Sequence, residues 1–252
     1  MNRLIRFRSA LTVAALLLAA STALAQEPWQ RLPPMPDLPK GTVGEHLEIH
    51  GARLWYARWN ATAGGAPVLL LHGGYGNSSY FGHLIPALVG HGYSVIAVDS
   101  RGHGRSTAPD EQITYHLMAA DVLGLLDHLK IAKVSLVGWS DGGVTGFDLA
   151  INEYRNLSPT PDRWAAFNAN VNRMWETLPA FTADQLRSIR VPTTIADGEY
   201  DEGIKPEHNR YLASTIPGAK LVILPNVSHF AMLQNPPLFN RAVLDFLQGP
   251  GH

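Results

Sequence analysis

The stretch Val134-Ser135-Leu136-Val137-Gly138-Trp139-Ser140-Asp141-Gly142-Gly143 runs from a short apolar segment into Gly-x-Ser-x-Gly. The apolar segment reads as a buried strand and the residues after it as a helix, so Ser140 falls on a sharp strand-to-helix turn. Such a turn strains the serine backbone and leaves room only for small neighbours, which Gly138 and Gly142 provide. It lifts the Ser140 hydroxyl above the sheet and aims the first helical amides at the same place. An anionic oxygen formed there would meet the Asp141 N–H and the positive end of the helix. Ser140 is therefore a candidate nucleophile and the Asp141 amide a candidate oxyanion donor. The bland alternative is a glycine-rich turn without chemistry.

Upstream, the apolar run 68–71 ends in His72-Gly73-Gly74-Tyr75-Gly76. This loop can bring a second amide, that of Gly74, to the same oxyanion, and acyl transfer works best with two donors. His72 reads as a brace for the loop, because a better-placed base lies downstream. There, the run 191–196 leads into Asp197-Gly198-Glu199-Tyr200-Asp201-Glu202, and 221–224 leads into Pro225-Asn226-Val227-Ser228-His229-Phe230. A serine hydroxyl is a poor nucleophile without a neighbouring base, and the imidazole needs an acceptor on its other nitrogen. His229 is the candidate base. Among four carboxylates Asp201 is favoured as the acid, since it sits just past the strand end. Asp197, still within or against the sheet, is the main alternative, with Glu199 and Glu202 flanking.

Further out, strands are expected at 54–59, 68–71, 94–98, 134–137, 193–196 and 221–224, and helices at 80–90, 114–129, 161–178 and 182–189. In 114–129, Met118, Val122, Leu125, Leu126 and Leu129 share one face. Apolar strands alternating with amphipathic helices make an α/β fold with a mostly parallel sheet covered on both faces. The chain has 252 residues, 46% of them apolar, enough for one large core. Twenty basic residues face 21 acidic ones with no Lys/Arg block, so no nucleic-acid partner is expected. Zero cysteines exclude a disulfide framework, a thiolate nucleophile and an iron–sulfur cluster. The segment Asp99–Ser106 lacks the Lys-Ser/Thr ending of a phosphate loop and reads as a turn beside the site. Eleven histidines form no His-Glu-x-x-His cluster, so neither a metal nor a cofactor is expected.

Arg3, Arg6 and Arg8, the apolar stretch 10–24 and the small-residue pattern Ala23-Leu24-Ala25 read as a signal peptide over 1–25, cleaved before Gln26. A periplasmic or secreted protein with no stable membrane anchor after cleavage is the expectation. Residues 26–40, with Pro28, Pro33, Pro34, Pro36 and Pro39, form an N-terminal arm, and 41–252 the domain.

Taken together, His72-Gly73-Gly74, Asp99-x-Arg101-Gly102-His103-Gly104-x-Ser106, Gly138-Trp139-Ser140-Asp141-Gly142-Gly143, Gly198-x-x-Asp201 and His229 resemble the α/β-hydrolase superfamily over about 54–247. The resemblance implies a triad of Ser140, Asp201 and His229, with oxyanion donors from Gly74 and Asp141, acting on a small-molecule ester. Gly138-Trp139-Ser140-Asp141-Gly142-Gly143 with Gly198-Glu199-x-Asp201 looks most like the valacyclovir-hydrolase-like esterases. In those enzymes the acidic side chain after the nucleophile helps bind a substrate amino group, which implies that role for Asp141. One feature departs from the pattern: residues 151–190 hold no β-type apolar run, so one central strand is expected to be missing after the nucleophile helix. If so, the strand leading to Asp201 pairs beside that of Ser140, or a gap opens in the sheet. A reduced helical cap at about 155–190 would bring Trp164, Met174 and Trp175 to an acyl pocket with Tyr75 and Trp139, unless this face only packs on the sheet. The expected activity is that of a serine esterase. The competing expectations are a lactonase, C–C hydrolase or perhydrolase using the same triad, and a ligand-binding homologue whose triad the short segment has uncoupled.

Overall fold

The computed structural model describes residues 27–64, 66–108, 113–145, 173–175, 177–179 and 181–249. The leader 1–25 and Trp164 lie outside the described residues, as does most of the expected cap. Two strands open the domain, β1 (Gly44–Ile49) and β2 (Ala52–Trp59), joined at His50 and Gly51. Both turn residues have positive φ, 47° and 74°, as a two-residue hairpin matching the right-handed strand twist requires. β1 was not among the expected strands. It is an outer strand with mostly exposed side chains, so its sequence lacks an apolar run.

β3 (Val68–Leu71), β4 (Val95–Asp99) and β5 (Ser135–Gly138) complete a five-stranded sheet in the order β1-β2-β4-β3-β5. β1, β2 and β4 pair antiparallel, while β3 lies parallel to both β4 and β5. Alternate residues of β3 and β4 serve opposite faces, as period-two geometry dictates. Val68, Leu70, Val95 and Ala97 pack with Leu84, Ile85 and Leu88 of α1 (Leu84–Gly90) and with Val243, Leu244 and Leu247 of α6 (Pro236–Leu247). Leu69, Leu71, Ile96 and Val98 pack with Val122 and Leu125 of α2 (Tyr115–His128). Every residue of β3 and β4 is buried, so the centre of the sheet is covered on both sides. The Thr114 hydroxyl caps α2 by accepting from the Leu117 amide at 3.2 Å.

The expected helix 80–90 is divided. A 3₁₀ turn, Ser78–Phe81, is capped by the Asn77 side chain and ends at Gly82, ahead of α1. Gly82 has no room for a side chain, because a Cβ there would lie 2.5 Å from the Asp37 carbonyl oxygen.

After α3 (Ala183–Ser188), the strands β6 (Thr194–Gly198) and β7 (Lys220–Leu224) pair parallel with each other through the crossover helix α4 (Pro206–Thr215). Among the described residues β6 does not pair with β5, and 146–172, which hold most of the stretch where a central strand was expected to be missing, lie outside them. The two-stranded unit reaches the main core through Phe239 of α6, which packs against both the α1 cluster and the cluster of Leu224, Val227 and Ala231. A short helix, α5 (Ala231–Gln234), precedes α6. No helix among the described residues is long and apolar enough to cross a membrane.

Candidate active site

β5 delivers Ser140 to the turn. The serine backbone has φ +53°, a left-handed value that costs a residue with a side chain about 1–2 kcal/mol. The surroundings impose it: the Trp139 amide donates to the Leu71 carbonyl at 3.0 Å, and the Gly142 amide to the Trp139 carbonyl at 2.9 Å. A Cβ on Gly138 would come within 2.4 Å of the Gly142 carbonyl oxygen, and one on Gly142 within 2.0 Å of the Leu71 carbonyl oxygen. Residues 141–145 are helical, so the Asp141 amide opens a helix with no intrahelical acceptor of its own.

The loop after β3 closes over this turn. A Cβ on Gly73 would lie 2.9 Å from the Ser140 Cβ, and one on Gly74 2.6 Å from both the Asp141 carboxylate and the Trp175 ring. His72 is fully buried and holds two loops together, as its Nε2 accepts the Ser100 amide at 2.9 Å while Nδ1 donates to the Gly73 carbonyl at 2.7 Å. Burial, reinforced by the neighbouring His103, lowers its pKa to about 4. It is neutral and bracing at physiological pH. Asp99, also fully buried, accepts the Ser78 amide and hydroxyl and the Arg105 amide and guanidinium, which anchors the 99–106 turn alongside.

The acid and the histidine arrive on the loops after β6 and β7. His229 Nδ1 lies 2.7 Å from Asp201 Oδ2, so Nδ1 carries the proton and Nε2 is left with its lone pair. Asp201 Oδ1 accepts the Gly203 and Ile204 amides, both at 2.7 Å. Burial would raise the Asp201 pKa, but the His229 and Asp197 hydrogen bonds, the His229 charge and the Ile204 amide reverse it to about 2. Burial likewise would lower His229, and the hydrogen bond and charge of Asp201, helped by Glu202 and Asp197, leave it above the usual imidazole value.

The other carboxylates are occupied elsewhere. Asp197 lies in β6 and takes the Asn209 side chain and the Gly198 amide, Glu199 takes the Asn226 amide at 3.1 Å, and Glu202 takes the His229 amide at 3.4 Å. Asp197 and Asp201 also act on each other electrostatically. Burial first, and then the bond and charge of Asp201, push the Asp197 pKa up to about 7.

Trp139 joins the two halves. Its Nε1 donates to the His229 carbonyl at 2.9 Å, and its ring stacks on Tyr80 at 4.8 Å and meets Phe230 at 5.5 Å. Among the described residues Ser140 and His229 are not hydrogen-bonded to one another. Bonds of that kind are often long in free enzymes and close when substrate binds.

Of the expected pocket residues, Tyr75 and Trp175 are both partly exposed and meet edge to face at 5.2 Å. Met174 is buried with Ile113, Tyr115 and Met118. Asp141 is only 6% exposed, its carboxylate accepting the Tyr115 hydroxyl at 2.8 Å and Trp175 Nε1 at 3.0 Å. Burial and the Asp141 charge push the Tyr115 pKa upward, so Tyr115 stays a neutral hydroxyl donor. The sequence reading did not find Tyr80, Asn209 and Gln234, which support the site from positions carrying no local motif.

A family model described as alpha/beta hydrolase fold matches residues 66–167. The serine hydrolase BPHL of Homo sapiens is 26% identical over 252 aligned positions, covering 80% of this chain and 85% of that protein. The sn-1-specific diacylglycerol lipase ABHD11 of Xenopus tropicalis is 40% identical over 101 positions, which are 40% of this chain and only 31% of that protein's length. The crystal structure of the enol-lactonase from Burkholderia xenovorans LB400 superposes with a TM-score of 0.67 at 24% identity, covering 81% of this chain and all of the other.

Proposed function

Taking as premise that this chain has the α/β-hydrolase fold, we propose that it cleaves carboxylic esters through an acyl-enzyme on Ser140. The observation that carries the reading is the 2.7 Å contact of Asp201 with His229 Nδ1, which leaves the Nε2 lone pair available as a base, while Trp139, next to Ser140, donates to the His229 carbonyl. His229 Nε2 takes the hydroxyl proton as Ser140 Oγ attacks the carbonyl carbon. The Gly74 and Asp141 amides donate to the oxyanion, and the proton passes from His229 to the departing alcohol. His229 then takes a proton from water, the hydroxide attacks the acyl carbon, and the acid and free Ser140 are restored. Asp201 keeps the imidazole in the needed tautomer and stabilises its protonated form.

The Asp141 carboxylate is satisfied by Tyr115 and Trp175, so an ammonium group reaches it only by displacing the Trp175 indole. Neutral acyl esters are therefore the substrates to test first. Equal turnover of an aminoacyl ester and its des-amino analogue would remove the ammonium-anchor role from Asp141.

The leader reading adds that the working form begins at Gln26 and acts outside the cytoplasm, which N-terminal sequencing of the exported protein would check. The test of the activity is burst kinetics of that form with p-nitrophenyl acetate or butyrate, beside Ser140→Ala. A burst followed by turnover is expected, with kcat falling roughly 10⁶-fold in the variant. Retention of more than about 1% of activity by Ser140→Ala would remove the serine from its role. A cooperatively folded protein with no burst would favour a binding protein whose triad is uncoupled.

A further inference from the structure

The acid and histidine loops leave a two-stranded unit that, among the described residues, shares no strand pairing with the sheet carrying Ser140. Contacts other than strand pairing also bear on their placement. Trp139 is one, and the arm ahead of β1 is another that the proposed reaction does not use. The Trp29 indole lies flat on the Tyr200 ring, with centroids 4.0 Å apart and planes 13° from parallel. Tyr200 immediately precedes Asp201. Gln234 of α5 donates from Nε2 to the carbonyls of Arg31 at 2.9 Å and Trp29 at 3.3 Å, and to Ser228 Oγ at 2.9 Å. Its Oε1 accepts the Ser228 amide at 2.7 Å, and Ser228 immediately precedes His229. One ring stack and one amide side chain thus fasten the arm beside both the acid and the base.

The other end of the arm is fastened to the main sheet. Pro36 and the Asp37 carbonyl occupy the space left by the missing Gly82 side chain, Leu38 packs into the cluster under α1, and Asn77 points its amide at Met35 Sδ. Between the two anchorages stand Pro33 and Pro34. Each fixes its own φ and pushes the residue before it toward extended backbone, so the span behaves as a stiff spacer rather than a slack tether.

We propose that residues 27–38 are a strap that sets Asp201 and His229, on the loops after β6 and β7, against Ser140 beyond β5, with Trp29 as a positioning residue acting through Tyr200. The proposal rests on the catalytic roles given above to Ser140, His229 and Asp201. Misplacing reacting groups by about an ångström costs on the order of 10²-fold in rate, so slackening the strap costs rate rather than binding.

Trp29→Ala in the exported form is expected to lower kcat about tenfold or more, with KM nearly unchanged, and Trp29→Phe, which restores a flat ring, to recover most of it. A second readout needs no turnover. In Trp29→Ala the His229 pKa, followed by NMR, should fall as its hold on Asp201 loosens. Trp29→Leu keeps apolar bulk without a flat ring and is read the same way if Trp29→Ala does not fold. A lower Tm with unchanged kcat and unchanged His229 pKa would reduce the arm to simple stabilisation and overturn the proposal. So would a Trp29→Phe no better than Trp29→Ala. If the wild-type chain shows no Ser140-dependent turnover while Trp29→Ala still lowers the His229 pKa, the strap stands and the esterase reading fails.

Discussion

Asp197, Asp201 and His229 exchange charge as one set, and their pKa shifts make opposite demands on pH. In the proposed reaction neutral His229 is the form that acts as base, and its raised pKa would put the acid limb of kcat/KM above the usual imidazole value of 6.5. Once Asp197 ionises, near pH 7, its charge adds to the field holding a proton on His229. Asp197→Asn removes that charge, so the acid limb should move to lower pH, readable from kcat/KM profiles with p-nitrophenyl butyrate; an unmoved limb would disconnect Asp197 from the base. Stability gives an independent check. The folded Asp197 pKa of about 7 exceeds the ordinary 3.8, so its contribution is full below 3.8 and disappears as pH rises through 7. Thermal melts should show the Tm of Asp197→Asn, relative to wild type, rising between about pH 4 and 7 and level above that.

At the scale of an element, the β5–turn–helix unit is held by backbone packed on backbone. A Cβ on Gly142 would meet the carbonyl oxygen and carbon of Leu71 at 2.0 and 2.5 Å, and Leu71 is locked to Gly138 in the parallel register of β3 and β5. Neither side can yield without breaking that pairing. Gly142→Ala is expected to cost about 3 kcal/mol or more, a drop in Tm of roughly 6–12 °C, and to abolish Ser140-dependent turnover. Gly143 is the internal control, as the nearest atom to its added Cβ is 3.5 Å away. Gly143→Ala should melt within a few degrees of wild type, and equal Tm losses in the two variants would refute the steric account. The same unit was legible in the sequence, because the strain at Ser140 and the room its glycines make are relations among residues within five positions of each other. The edge strand β1 was not legible, since exposed polar side chains on an outer strand leave no apolar signature.

Across the described residues, burial differs between the five-stranded sheet and the pair β6–β7. β3 and β4 are buried at every residue, whereas β7 buries only Leu224 outright and β6 only Ile195 and Gly198. Native-state hydrogen exchange should find the β3 and β4 amides exchanging last and those of β6 and β7 earlier, as a unit that opens below the global free energy. A single protection class over both sheets would show that Phe239 and α6 couple them into one cooperative block. Chemistry resting on the more weakly held unit explains why contacts from outside it, Trp139 and the arm, converge on its two loops.

The sequence by itself determined the alternating strands and helices and the strained turn at Ser140, and it favoured Asp201, just past the end of β6, over Asp197, which lies in the strand. All of these follow from periodicity and steric rules acting over a few neighbouring residues. Only the tertiary structure decided that β5 and β6 stand unpaired among the described residues, that Trp139 reaches the His229 carbonyl 90 positions away, and that Gln234 holds the Trp29 carbonyl 205 positions away. Contacts at such separations have no period or spacing to announce them. They exist only once the packed fold has brought these distant segments together.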